Sequence, residues 1–519
     1  MLLSTLLLPI AASLVSAVPA SHTSSRPTVS LDYTTVKAAA GNETLGYYKY
    51  QNIRFAAVPT GNLRFAKPRW PSVESVINNG TTYASSDVDC SSEEDCLYMD
   101  VWAPANAKGK KLPVMVWTYG GGFTGGSKSQ NTPEGLFDLS KEFVFVAFNY
   151  RLGITGLANS VSATHQGATD NVALYDVEHA FKWVQKYISK FGGNPDDITS
   201  FGFSAGASMP LFMITRYGGH NEQLFHKAYI TSPGFVPGAG HHHGEMFWQN
   251  VSTAVGCKGG DLSCMRHVPF ANLSSAANTV YEKYDYQFQP RVDGDFVADT
   301  YESQLYQGHF NWTGPLVISH EQHENNGSPT SGVNTTADVR RELRTFFPGI
   351  TEDAVNDIMA LYPASDYASP GYRFADMRQS FDLTAHNYAL TRALNNNTWT
   401  ARCSLGSATH GTDQSYYWYS TYSLSSSSSS SSSGGPPAGA GINISGGTSV
   451  SPSVARKMQK YLLSFVLTGN PNTKWASDKI HWPKYGSNST QLVFNTTMYT
   501  GKDDLANAKS LYWNKALWY

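Results

Sequence analysis

The sequence predicts an α/β fold, a large, mostly parallel, twisted sheet flanked by helices. Three observations predict it. Apolar runs of strand length recur along the chain, a long stretch with helical apolar spacing lies between two of them, and glycine clusters mark where elements stop.

Val114-Met115-Val116-Trp117 is the first run and leads into Gly120-Gly121-Gly122. Phe143 to Phe148 is the second, and Ile198 to Phe203 the third. Between the second and third, Val177, Ala180, Phe181, Val184 and Ile188 recur at helical spacing. Phe191-Gly192-Gly193-Asn194-Pro195 then ends that helix with a C-cap glycine and a turn. Strand, long helix, strand in this order makes a parallel pair. Pro315 to Ser319 reads as a later strand, and Val454 to Leu467 as a later amphipathic helix.

At about 150 residues per domain, 519 residues would allow three domains. The Ser425–Ser433 tract and the glycines and prolines after it have linker composition, but the helical pattern resumes beyond them. The Ser/Gly-rich stretch, about 423–447, is therefore expected to be a disordered loop inside one domain spanning 21–519. With 38 basic against 40 acidic residues and only 15% charged, the chain lacks the footprint of a nucleic-acid binder. A small, neutral partner is expected; the sequence leaves oligomeric state open.

The apolar run in Leu2-Leu3 and Leu6 to Val15, followed by small residues, reads as a signal peptide over 1–17, with cleavage as late as Ala20 the alternative. Secretion follows, and no later run reaches about 18 uninterrupted apolar residues, so no span is expected in the mature chain. In an oxidising compartment five cysteines imply two bridges and one left over. Spacing pairs Cys90 with Cys96 and Cys257 with Cys264, leaving Cys403. Neither pair has zinc-ligand spacing, so no metal is expected. Glycosylation acceptors are Asn42, Asn79, Asn250, Asn272, Asn311, Asn334, Asn396, Asn443, Asn488 and Asn495, with Asn326 a poorer one before Ser328-Pro329.

Gly202-Phe203-Ser204-Ala205-Gly206 joins the third strand to an apolar helical stretch, the setting in which a tight strand-to-helix turn presents a serine nucleophile. Small residues two before and two after the serine keep strand and helix from clashing. A serine hydroxyl needs a base, a group to orient that base, and donors for the developing oxyanion. Tyr119-Gly120-Gly121-Gly122-Phe123 offers backbone N–H donors without Cβ obstruction.

Here the chain resembles the type-B carboxylesterase family, the cholinesterase-like branch of the α/β-hydrolases. The resemblance rests on Arg64-Phe65-Ala66-Lys67-Pro68, Glu94 to Val101 (EDCLYMDV), Asn149-Tyr150-Arg151-Leu152-Gly153, Phe191 to Pro195 and Phe465 to Asn472. It implies an α/β-hydrolase fold and Ser204 as nucleophile, with Gly121, Gly122 and Ala205 N–H groups as the oxyanion hole. It implies Glu324, in His323-Glu324-Asn325, as the acid, with Glu321 a competitor three residues earlier. His410, in Thr409-His410-Gly411-Thr412-Asp413, is the implied base. No cofactor is implied. Arg64 with Glu94 and Arg151 with Asp176 are the implied structural ion pairs. His179 reads as structural, and His241-His242-His243 as a solvated loop rather than a metal tract.

Two departures bear on substrate. Cys90 and Cys96 enclose only Ser91 to Asp95, where cholinesterases and fungal lipases carry a long loop with a choline-stacking Trp or a lid. Phe203 stands where most relatives have Glu, removing a carboxylate that favours imidazolium. The expected activity is hydrolysis of neutral carboxylic esters through an acyl-enzyme. Alternatives are acyl transfer or lactone processing by the same residues, and a non-catalytic binding or adhesion protein.

Overall fold

The computed structural model describes residues 26–237, 240–284, 286–419 and 450–515. The expected signal peptide and the whole Ser/Gly-rich stretch of 423–447, with Asn443 in it, lie outside them. Strands β1 (Thr28–Ser30) and β2 (Thr35–Lys37) form a separate antiparallel ribbon. The other strands are β3 (Ala40–Asn42), β4 (Tyr47–Arg54), β5 (Tyr98–Pro104), β6 (Leu112–Thr118), β7 (Val144–Phe148), β8 (Gly193–Phe203), β9 (Lys227–Thr231), β10 (Leu316–Glu321), β11 (Trp399–Cys403), β12 (Thr490–Phe494) and β13 (Tyr499–Lys502). They make one 11-stranded sheet in the order β13-β12-β11-β10-β9-β8-β6-β7-β5-β4-β3.

From β7 through β12 every neighbour is parallel, and the antiparallel pairs are confined to the two ends. The apolar runs explain this, because a strand such as Val-Phe-Val-Ala-Phe in β7 is buried at every position and needs helices on both faces. The helix Val172–Tyr187 supplies one cover, burying Val177, Ala180, Phe181 and Val184. Burying one such large apolar side chain stabilises the fold by about 1.5–3 kcal/mol. The helix runs into a short 3-10 turn and stops at Gly192, whose φ of +85° and closeness to Ala107 admit no side chain: a Cβ would lie 2.2 Å from the Ala107 carbonyl oxygen.

Several sequence expectations need adjustment. The strands around the long helix, β7 and β8, do not pair with each other; each pairs parallel with β6 between them. β8 begins at Gly193 rather than Ile198, because Leu112 pairs with Gly193 before the register shifts. His241 to His243 are not loop but the first turn of the helix His241–Ala254, whose inner face of Phe247, Trp248 and Val251 outweighs the glycines before it. The late helix runs Pro452–Thr468, opened by proline at its first position and closed by Gly469 at φ +73°.

Arg64 grips Glu94 through two hydrogen bonds of 2.5 and 2.6 Å, and Arg151 grips Asp176 at 2.8 and 2.7 Å. The Arg151 guanidinium also donates to the Leu63 and Ala66 carbonyls, tying the early loop to the long helix. A third buried pair, Lys128 with Asp100 at 2.8 Å, carried no sequence signal. His179 packs 4.4 Å from the Trp70 ring, and burial pushes its pKa down to about 4. Cys90 is bonded to Cys96 and Cys257 to Cys264, while Cys403 is free and buried. No helix among the described residues is long and apolar enough to cross a membrane.

Candidate active site

The chain turns from β8 into the helix Ala205–Thr215 through one residue, Ser204, at φ 54° and ψ −128°. A non-glycine residue held at positive φ costs about 1–3 kcal/mol and persists only where its surroundings fix it. Here the Ser204 N–H donates to the Thr231 carbonyl at 3.1 Å. A Cβ at Gly202 would sit 2.4 Å from the Gly206 carbonyl oxygen, and one at Gly206 would sit 2.2 Å from that of Thr118. Strand and helix thus cross backbone to backbone around the serine.

β6 ends beside this turn, and the glycine loop after it has φ of +128° at Gly121 and +59° at Gly122. The Gly121 carbonyl accepts from Thr124 and Gly125, which bends the loop back on itself. Among the described residues no acceptor meets the N–H groups of Gly121, Gly122 or Ala205. Free donors beside a serine oxygen are what a developing oxyanion requires.

His410 Nε2 lies 2.8 Å from Ser204 Oγ, and His410 Nδ1 lies 2.6 Å from Glu324 Oε2. All three side chains are nearly buried. Glu324 sits in the turn after β10, and His410 in the loop after β11. The two loops are stitched together: His323 N–H donates to the Ala408 carbonyl at 2.8 Å, and His410 N–H to the Glu324 carbonyl at 3.3 Å. Glu321 does not reach the imidazole. Its Oε1 accepts the Asp413 N–H at 2.7 Å, and its own N–H donates to Glu324 Oε1 at 2.8 Å. The Phe203 ring lies against His410, ring centres 4.9 Å apart.

Burial, reinforced by the Asp413 and Glu324 charges, pushes the Glu321 carboxyl well above the usual range. Burial also lifts Asp413 to about 6. This cluster of buried carboxyl groups carried no signal as a set in the sequence.

Residues 26–513 match the family model described as the carboxylesterase family. The chain belongs to that family. It is 29% identical over 424 residues to a protein named "Secreted lipase" from Arthroderma benhamiae, covering 78% of this chain and 77% of the relative. It is 28% identical to "Carboxylesterase patB" of Aspergillus clavatus over 94% of this chain and 96% of that protein. The solved structure of Aspergillus niger EstA superposes with a TM-score of 0.80 at 24% identity, covering 95% of this chain and 98% of that one, which is a likeness of fold. The protein is an α/β-hydrolase and a carboxylic ester hydrolase.

Some residues of this carboxylesterase's site escaped sequence reasoning. A Cβ at Gly234 would stand 3.9 Å from Ser204 Oγ and 2.8 Å from Leu383 Cδ2, so these two residues form a wall beside the serine. Leu383 belongs to a π-helical turn, Gln379–Thr384, far along the chain. The next residue, Phe235, stacks on His386 at 3.8 Å, and His386 Nδ1 is 2.8 Å from Glu302. A π-turn and a buried His–Glu pair announce themselves only in three dimensions. The sequon asparagines among the described residues are exposed or half-buried. The Asn311 side-chain N–H is already given to the Asn221 carbonyl at 2.6 Å.

Proposed function

We propose that the protein is a secreted serine carboxylesterase that hydrolyses neutral carboxylic esters through an acyl-enzyme on Ser204. The observation that carries this reading is the unbroken hydrogen-bonded line from Ser204 Oγ through His410 to Glu324. In this reading His410 Nε2 takes the serine proton as Oγ attacks the ester carbonyl, and Glu324 holds the ring with Nδ1–H inward and stabilises the imidazolium. The N–H groups of Gly121, Gly122 and Ala205 receive the oxyanion, each such donor being worth about 10²–10³ in rate. His410 then protonates the departing alcohol. Water, deprotonated by the same nitrogen, attacks the acyl-enzyme and restores the serine.

Secretion draws support from the N-terminal 1–17 segment and from a relative named for it. The accessible sequons fit a glycosylated chain, and the ordered motifs from Arg64 to Asn472 fit one domain over 21–519. A Cys90–Cys96 loop too short for a lid or a choline-stacking Trp favours soluble esters of ordinary size or larger.

Intact-mass measurement after mixing with an organophosphorus or p-nitrophenyl ester tests the chemistry. One acyl or phosphoryl adduct per chain, absent in Ser204→Ala, is expected. Labelling or turnover of Ser204→Ala at the wild-type rate overturns it. Product analysis in the presence of an alcohol separates hydrolysis from acyl transfer.

A further inference from the structure

Three carboxyl groups, Glu321, Glu324 and Asp413, are buried close to one another, and one of them, Glu324, meets the His410 imidazole. Among the described residues neither Glu321 nor Asp413 has a lysine or arginine partner. If all three were ionised, two negative charges would remain uncompensated in a low-dielectric pocket even opposite an imidazolium, an arrangement that proteins avoid by keeping a proton.

The hydrogen bonds say where that proton belongs. Glu324 uses Oε2 for His410 and Oε1 for the Glu321 N–H, as an ionised acceptor should. Glu321 Oε1 accepts the Asp413 N–H, and Oε2 is fully buried with no N–H or O–H donor among the described residues, the nearby side-chain donor being the weak Cys403 S–H. The groups facing the Glu321 carboxyl are the Asp413 carboxyl and the Cys403 thiol across the β10–β11 register, with Glu324 and His410 beyond and Tyr416 on the other side. None of these is a fixed cation. An oxygen with no donor stronger than a thiol, in a carboxyl group set against another carboxylate, is where a carboxyl O–H sits.

We propose that Glu321 is a positioning residue held as the neutral acid. Its carboxyl O–H donates to the Asp413 carboxylate while its other oxygen holds the Asp413 N–H, clamping the His410 loop against the strand end that carries Glu324. Glu324 is thereby left as the one anion next to the imidazole. The raised positions of Glu321 and Asp413, both caused first by burial, agree with a proton shared between them through the working pH range. The inference rests on the reading of Glu324 as the acid and adds what keeps it singular: the neighbour that resembles a competing acid serves by staying uncharged.

The test is kcat, KM and their pH profiles with p-nitrophenyl acetate for Glu321→Gln, Glu321→Ala and Asp413→Asn, with difference infrared spectra of wild type and Glu321→Gln. Glu321→Gln, which mimics the neutral acid and still offers a donor and an acceptor, is expected to keep kcat within about threefold and leave the acidic limb of kcat/KM in place. The carbonyl band of a protonated carboxylic acid seen in wild type at neutral pH should vanish in it. Glu321→Ala should lose at least about tenfold in kcat with KM little changed; should it fail to fold, the other two variants decide. Asp413→Asn, which removes the carboxylate but keeps the main-chain bond, should cost less than Glu321→Ala. An acidic limb displaced in Glu321→Gln, or no protonated-acid band in wild type, overturns the proposal. So does a fully active Glu321→Ala. Glu324→Gln run alongside separates the two readings: if it stays active while Glu321→Gln does not, the assignment of the acid itself fails, whereas an inactive Glu324→Gln beside a displaced limb in Glu321→Gln removes only the neutral clamp.

Discussion

The Phe203 ring lies 4.9 Å from the His410 ring at an interplanar angle of 34°, and its edge also closes over Gly411, where a Cβ would meet it at 3.0 Å. The imidazole therefore turns one side to hydrocarbon rather than to a carboxylate. Replacing Phe203 with Glu places an anion against the ring and favours its protonated form, so the acidic limb of kcat/KM should move to higher pH by about 1 unit. A pH–rate series on a p-nitrophenyl ester checks this. An unmoved limb would mean that the new carboxylate is itself protonated or turned away.

Gly234 and Leu383 crowd the serine. A Gly234→Ala methyl would press on Leu383 Cδ2 and come close to Ser204 Oγ. A misfitting methyl in a substrate pocket is worth about 1–3 kcal/mol, or 10–200-fold. The variant should lose kcat/KM toward branched or aromatic acyl groups at least about tenfold more than toward acetate. An equal loss across an acyl series would place the wall elsewhere.

Arg151→Met removes the only cation bonded to the buried Asp176 carboxylate among the described residues. Breaking such a pair on one side costs about 3–5 kcal/mol. Unfolding by urea should show that loss, while kcat per folded molecule stays close to wild type because neither residue touches Ser204, Glu324 or His410. A large fall in kcat with unchanged stability would contradict a purely structural role.

His179 supplies a pH dependence of stability with a definite sign. Its pKa is near 6.5 in the unfolded chain and about 4 when buried, so between these values the unfolded state binds the extra proton. Its contribution is whole above pH 6.5 and is lost as pH falls from 6.5 toward 4, by about 3 kcal/mol at most. His179→Gln should flatten Tm against pH across that window. A parallel downward slope in the variant would assign the acid sensitivity to other groups.

Much of this site is written locally in the chain. The turn at Ser204 needs Gly202 and Gly206 for reasons of backbone crossing alone, and a single sequence displays that need as a pattern. The donors at Gly121 and Gly122 are equally local. His410 and Glu324 are recognisable by their motifs, but that Glu324 and not Glu321 meets the imidazole depends on how the turn after β10 carries the chain back toward β11. Leu383 and the His386–Glu302 pair come from segments whose proximity is set by tertiary packing, and nothing in their neighbours' identities reports it. The histidines at 241–243 mislead for the opposite reason: glycine content is a local signal, and the apolar periodicity of Phe247, Trp248 and Val251 that overrides it begins only downstream.

The loop bearing His410 is anchored at its base by the Ser404 N–H on the Phe494 carbonyl at 2.8 Å, so the position of the imidazole depends on β12 as well as β11. Ser204 precedes His410 by 206 residues. In the proposed mechanism, a chain synthesised only just past β8 carries its nucleophile before the residue that takes its proton. On that mechanism the line from Ser204 to Glu324 is complete only once β11 and β12 have joined the sheet, so a chain lacking them is expected to be inactive toward esters.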